Sequence, residues 1–120
     1  MNLINGQLAG GETPIFSAQG LHLPLNHGIE GAHNAVLGAR PQDLQIVEQG
    51  SERAHVRGRV WVVELLGSEK LVEVTYVDRS RISVLVRADM PISVDDNVGI
   101  CFDPKKIHLF DAATGKALAH

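Results

Sequence analysis

The stretch that most constrains the fold is residues 56–77, VRGRVWVVELLGSEKLVEVTYV. Val60, Trp61, Val62 and Val63 form a β-branched and aromatic run. Gly67-Ser68 interrupts it, and Leu71, Val72, Val74, Tyr76 and Val77 resume it. Two runs of strand formers around a short glycine-containing break predict a β-hairpin. Strict period-two geometry would put Arg57, Arg59, Trp61, Val63 and Leu65 on one face of the first arm, with Val56, Gly58, Val60, Val62 and Glu64 on the other. In the second arm Val72, Val74 and Tyr76 oppose Leu71, Glu73, Thr75 and Val77. Neither arm alternates cleanly between apolar and polar, so both faces are expected to be partly covered, as in a small barrel.

The rest of the chain continues in short strands. Residues 2–8 predict one strand ending near Gly10-Gly11, and residues 14–25 predict two more around Gly20. There Leu21, Leu23 and Leu25 alternate with His22 and Pro24, the pattern of a half-buried edge strand. Residues 26–35 (NHGIEGAHNA) read as a polar, glycine-punctuated connection, followed by a short apolar piece at 35–38. Pro41 biases Arg40 away from helix and can itself open a single helical turn. Leu44, Ile46 and Val47 mark another strand. Asp78-Arg79-Ser80 turns the chain into 81–87, where Ile82, Val84 and Val86 oppose Arg81, Ser83, Leu85 and Arg87. Residues 94–97 turn again, and 98–102 and 107–110 are the last strands before a polar tail. Many short strands, frequent turns and no amphipathic helix of useful length predict an all-β domain.

Composition narrows the function. With 120 residues, 44% of them apolar and 21% charged, the chain is sized for one ordered domain with a real core. A net charge of −3 argues against an electrostatic nucleic-acid binder. Three Phe, one Trp and one Tyr leave little with which to stack single-stranded bases. The single cysteine, Cys101, rules out an intramolecular disulfide and suits a reducing compartment. No stretch is as long as a transmembrane helix, and the first residues lack the basic start and apolar core of a signal peptide, so a cytoplasmic chain is expected.

Residues that carry chemistry are scattered. His22, His27, His33, His55, His108 and His120 show no i, i+4 or paired-cysteine spacing, so no metal set is expected. Glu69 and the pair Asp95-Asp96 sit at predicted turns, where carboxylates belong without any catalytic reason. Cys101 lies within an apolar strand and is expected to be a buried, inert thiol. Arg57, Arg59, Arg79, Arg81 and Arg87 are expected to form a solvated face with Glu64, Glu73 and Asp89. Trp61 and Phe110 leave two readings open, as core aromatics or as exposed anchors for a partner. In 107–110, the two aliphatic residues Ile107 and Leu109 make the inward pair, turning His108 and Phe110 outward.

Three stretches in order carry a resemblance: LGARPQDL at 37–44, GRVWVVELLGSEKLVEV at 58–74 and FDPKKIHLFDAATGKAL at 102–118. They resemble the C-terminal region of ATPase subunits from carbohydrate-type ABC importers, of the maltose and glycerol-phosphate kind. MNLINGQL at the start and LHLPL at 21–25 resemble the beginning of the same region, so the likeness covers nearly the whole chain. The resemblance implies a transport-associated oligonucleotide/oligosaccharide-binding (OB) fold, a small barrel with additional N-terminal strands. It implies a regulatory and dimerisation role, with residues 1–120 forming one such domain.

The G-x-x-x-x-G-K-[ST] loop whose backbone cradles nucleotide phosphates is missing, so no cofactor is expected in this chain. ATP and magnesium would belong to an ATPase domain outside it, and the chain is expected to be a fragment of such a subunit. The implied partners are a second copy of the subunit, the transporter permeases and a regulatory protein, with no nucleic acid. The implied place is the cytoplasm, peripheral on the inner face of the cell membrane. Trp61, His108 and Phe110 are the candidate contacts for the second copy or the regulator. The alternative is a small-oxyanion sensor of the molybdate kind, which would need a polar cluster that Ser68, Lys70, Ser83 and Ser93 are too scattered to supply.

Overall fold

The structure, a computed structural model, describes residues 1–25 and 29–119. Eleven strands follow in order: β1 (Asn2–Gly11), β2 (Ile15–Ala18), β3 (Leu21–Pro24), β4 (Ile29–Ala39), β5 (Leu44–Glu48), β6 (Val56–Leu66), β7 (Glu69–Thr75), β8 (Arg81–Arg87), β9 (Asn97–Phe102), β10 (His108–Asp111) and β11 (Ala117–Ala119). Two antiparallel sheets result, one ordered β11-β10-β4-β1-β2-β3 and one ordered β5-β9-β6-β7-β8. In the second, the edge strands β5 and β8 lie beside each other without a hydrogen-bond ladder, which makes a partly open barrel of the OB kind.

Alternation explains the packing. Ile4 and Leu8 of β1, Phe16 of β2, Leu21 and Leu23 of β3, and Ala35, Leu37 and Ala39 of β4 all turn to one side and are buried. They meet Val56, Val60, Val72, Val74, Ile82, Val84, Ile100 and Phe102 of the barrel in one continuous core. Gly6 lies between Ile4 and Leu8 because a Cβ there would sit 2.6 Å from the ring of Phe16. Each fully buried Leu, Phe or Val contributes about 1.5–3 kcal/mol relative to exposure.

Asn2 joins the sheets. Its side-chain amide donates to the carbonyls of Ala39 (3.1 Å) and Ser83 (2.8 Å) and accepts the Ser83 N–H (2.8 Å). It thus pairs with β8 as a backbone peptide group would.

Most predicted strands are present, including the central hairpin with Gly67 at φ +73° in its turn, as is the 3₁₀ turn at Pro41–Asp43. Four expectations need correction. Within 26–35, residues from Ile29 onward are strand, because they pair with β1, and β10 joins the other edge only from Ala35. Pairing with β1 overrides the weak strand preference of this stretch, with Asn34 opposite Gln7. The alternation of β6 breaks at a β-bulge between Val60 and Val62, which puts Val63 opposite the buried Val72 and leaves Val62 on the outer face. The tail is not all loop, since β11 folds back onto β10. Cys101 is half-buried, because Val98, Ile100 and Phe102 take the inward positions of β9.

Candidate interaction surfaces

Register defines two outward faces, and they differ in chemistry. On the six-stranded sheet, the cross-strand rows are Leu3–Gly38–His108, Asn5–Val36–Phe110, His22–Ser17–Gln7–Asn34 and Pro24–Ile15–Ala9–Ala32. None of these fourteen residues is Asp, Glu, Lys or Arg. Leu3 is 65% exposed and Met1 59%. Phe110 is half-buried, stacked on His108 with centroids 6.5 Å apart and planes 17° from parallel. The sulfur of Met1 and the Phe110 ring both close over Gly38, where a Cβ would lie 2.8 Å and 3.4 Å from them.

On the barrel, the rows are Val62–Glu73–Ser83, Glu64–Leu71–Leu85 and Leu66–Glu69–Arg87. Trp61, next to the inward Val60, faces out at 54% exposure, and the Arg81 guanidinium lies over its ring at 4.9 Å. Arg59 pairs with Asp95 at 3.2 Å and Arg87 with Asp89 at 3.0 Å, both highly exposed pairs of little energetic weight.

The three sequence candidates therefore do not form one site. His108 and Phe110 come together on the six-stranded sheet, and Trp61 lies on the barrel. Ile107 and Leu109 are buried, as the alternation requires. Leu3, Met1 and Val36 were missed as members of the first surface. The alternation of Leu3 against Ile4 was the available signal, but it shows no which-side information until β4 and β10 are in place.

The remaining polar groups serve the fold. The Asp111 carboxylate accepts the N–H groups of Ala113 and Thr114 and lies 3.5 Å from the Nδ1 of His33. Those backbone bonds, with the histidine adding to them, hold its pKa below the ordinary carboxylate value and shape the turn into β11. His55 Nδ1 accepts the Phe102 N–H at 3.0 Å, and burial lowers its pKa, so the ring stays neutral.

A shallow groove of about 680 Å³ along β5 contains Glu48, Arg53 and Asp96, but Asp96 is occupied in accepting the Ser93 N–H. Ser68, Lys70, Ser83 and Ser93 do not converge. Ser68 is in the β6–β7 turn, Lys70 donates to the Met90 carbonyl, Ser83 is tied to Asn2, and Ser93 begins the turn before Asp96. Among the described residues no group of three or more His, Cys, Asp or Glu can hold a metal, and no helix is long and apolar enough to cross a membrane. His27 and His120 lie outside the described residues.

Comparison with known proteins agrees with this geometry. The chain is 31% identical over 125 residues to the xylose/arabinose import ATP-binding protein XacK of Haloferax volcanii, covering 98% of this chain and 32% of that protein. It is 28% identical to the oligosaccharides import ATP-binding protein MsmX of Bacillus subtilis, covering 95% and 33%. It is 38% identical over 92 residues to the trehalose/maltose import ATP-binding protein MalK of Thermococcus litoralis, covering 69% and 23%. It therefore spans about a third or less of the length of these relatives. In fold, it resembles the cytoplasmic molybdate-binding protein ModG, with a TM-score of 0.74 over 90% of this chain and 94% of the other at 12% identity. The family model for the TOBE domain matches residues 37–110, from the end of β4 through most of β10, and the chain belongs to that family.

Proposed function

We propose that this domain is the regulatory and pairing module of the ATP-binding subunit of an importer for a sugar or related solute. In this reading it performs no chemistry. Two copies meet through the outward face of the six-stranded sheet and keep two ATPase domains together while those domains open and close. ATP and magnesium bind in the ATPase domain, and the permeases are reached through it, which puts the assembly in the cytoplasm against the inner face of the membrane. Cargo would be selected by other subunits.

One observation carries the pairing: four cross-strand rows without an Asp, Glu, Lys or Arg side chain, with Leu3, Val36 and Phe110 at one end and amides and hydroxyls at the other. Loss of charge at the centre and apolar anchors are what distinguish an interface from ordinary surface. A two-fold contact also needs a self-complementary patch, which an uncharged face supplies without repulsion.

Sedimentation equilibrium tests this. The domain should be monomeric at micromolar concentration and pair as it approaches millimolar, because it lacks the second tether an intact subunit would supply. Leu3→Glu should abolish the pairing. A strict monomer at millimolar concentration, or a dimer indifferent to Leu3→Glu, would overturn it. The oxyanion reading is tested by melting with molybdate, which should leave Tm unchanged. A ligand at a hundredfold excess over its Kd would add about 2.7 kcal/mol.

A further inference from the structure

The barrel carries a second exposed apolar surface with the opposite electrostatics. On β6, Trp61, Val62 and Leu66 are exposed at 54%, 36% and 49%. Leu71 of β7 and Leu85 of β8, both half-buried, continue the apolar floor across three strands. Between them stand Glu64, Glu69 and Glu73, each directly across a strand pair from an apolar residue: Leu71, Leu66 and Val62 in turn. None of the three makes an ion pair or a hydrogen bond through its carboxylate. The basic groups on this face are already engaged, Arg59 with Asp95, Arg87 with Asp89, and Arg81 over Trp61. Arg57 donates to the Gln49 carbonyl.

We propose that this checkerboard is the seat of a cationic amphipathic helix from a partner protein. Three neighbouring strands span about 10 Å, the width of one helix with its side chains. An apolar stripe along such a helix would lie over Trp61, Val62, Leu71 and Leu85. Flanking Lys or Arg side chains would reach the three free carboxylates, and unpaired opposite charges at a rim steer association and set the partner's sign. The same carboxylates repel anionic lipid and nucleic acid. The bulge adds Val62 to the side that Trp61 already faces, and the guanidinium over the Trp61 ring restrains this anchor before binding, which lowers the entropic cost of docking. The proposal is independent of the pairing face, which lies on the other sheet.

Trp61 is the only tryptophan in the chain, so its fluorescence reports on this surface alone. The probe is a synthetic helical 14-residue peptide of Leu and Lys, compared with its Leu and Glu counterpart. The Lys peptide should shift Trp61 emission to the blue and saturate, while the Glu peptide should do neither. Glu64→Gln, Glu69→Gln and Glu73→Gln together should weaken the Lys peptide at least tenfold. Glu12→Gln, Glu48→Gln and Glu52→Gln together, an equal charge change at exposed sites elsewhere, should leave affinity within twofold. No shift with the Lys peptide, an equal shift with the Glu peptide, or equal losses from the two triple variants would overturn the proposal.

Discussion

The outward faces of the two sheets share exposure and strand geometry but not charge. The six-stranded face shows Leu3, Val36 and Phe110 beside neutral polar residues, with no fixed charge in four rows. The barrel face alternates Val62, Leu66 and Leu71 with glutamates and carries three arginines besides. Self-association needs a surface that does not repel its own copy, and the first face meets that need. The second face offers three carboxylates without ion pairs, which would favour a cationic partner. The interiors also differ. Two half-buried polar groups, the His55 ring and the Thr75 hydroxyl without a partner, belong to the barrel side.

The largest expected effect contrasts adjacent residues of β10. Leu109→Ala should destabilise the fold by about 2–5 kcal/mol, as core truncations do. Phe110→Ala should cost the monomer no more than about 1 kcal/mol and act on pairing instead. Urea melts with parallel sedimentation separate the two, and a larger loss of monomer stability from Phe110→Ala would place that ring in the core.

A second contrast uses one substitution on both sheets. At Gly58 a Cβ would meet the Thr75 carbonyl oxygen at 2.5 Å and a Val74 methyl at 2.7 Å, so Gly58→Ala should cost about 1–3 kcal/mol. At Gly38 the nearest atom is the sulfur of the exposed Met1, which can swing away, and Gly38→Ala should stay within about 0.5 kcal/mol. Thermal melts of equal depression would erase the distinction drawn between a packed interior and an open face.

The third concerns pH. Burial depresses the His55 pKa below its ordinary 6.5, so as pH falls the unfolded chain takes up this proton first. Stability from this group is complete above about pH 6.5 and is lost as pH falls through the ordinary value toward the lower folded one. Protonation would also remove the acceptor for the Phe102 N–H. His55→Leu should cost about 1–3 kcal/mol at pH 8 and flatten the decline in Tm between pH 7 and 5. An unchanged slope would assign the decline to other groups.

The smallest effect is a gain. The Thr75 hydroxyl is buried without a partner, and Thr75→Val keeps the shape while removing the stranded oxygen, so stability should rise by about 1 kcal/mol. A loss in urea melts would mean that the hydroxyl is satisfied.

How far the sequence could be read follows from the range of each signal. The β6–β7 hairpin, the β8 alternation and the Leu109/Phe110 facing were legible because period-two burial is local. The start of β4 was not, since Gly31 and Asn34 look like loop until β1 pairs along that stretch. The bulge at Trp61 was equally hidden. One extra residue in one strand reverses every later facing, and the run Val60, Trp61, Val62, Val63 is apolar at every position. Of the candidate contacts, His108 and Phe110 were found because they face opposite Leu109, and Leu3 was missed because its neighbours in space are far away in sequence. Glu64 and Glu73 were read as part of a solvated charged face and Glu69 as a turn carboxylate, and only the structure brings the three onto one face without ion pairs.

Asn2 has a consequence for how the molecule behaves in a crowded solution. The edge of β8 away from β7 faces β5 across the barrel's opening without a ladder, and unpaired strand edges are starting points for aggregation. At Ser83 both groups are already taken by the Asn2 amide. A foreign strand arriving along β8 would find its ladder interrupted midway, with too few consecutive bonds on either side to hold. One side chain from the other sheet thereby fills part of the barrel's opening that a foreign strand would need.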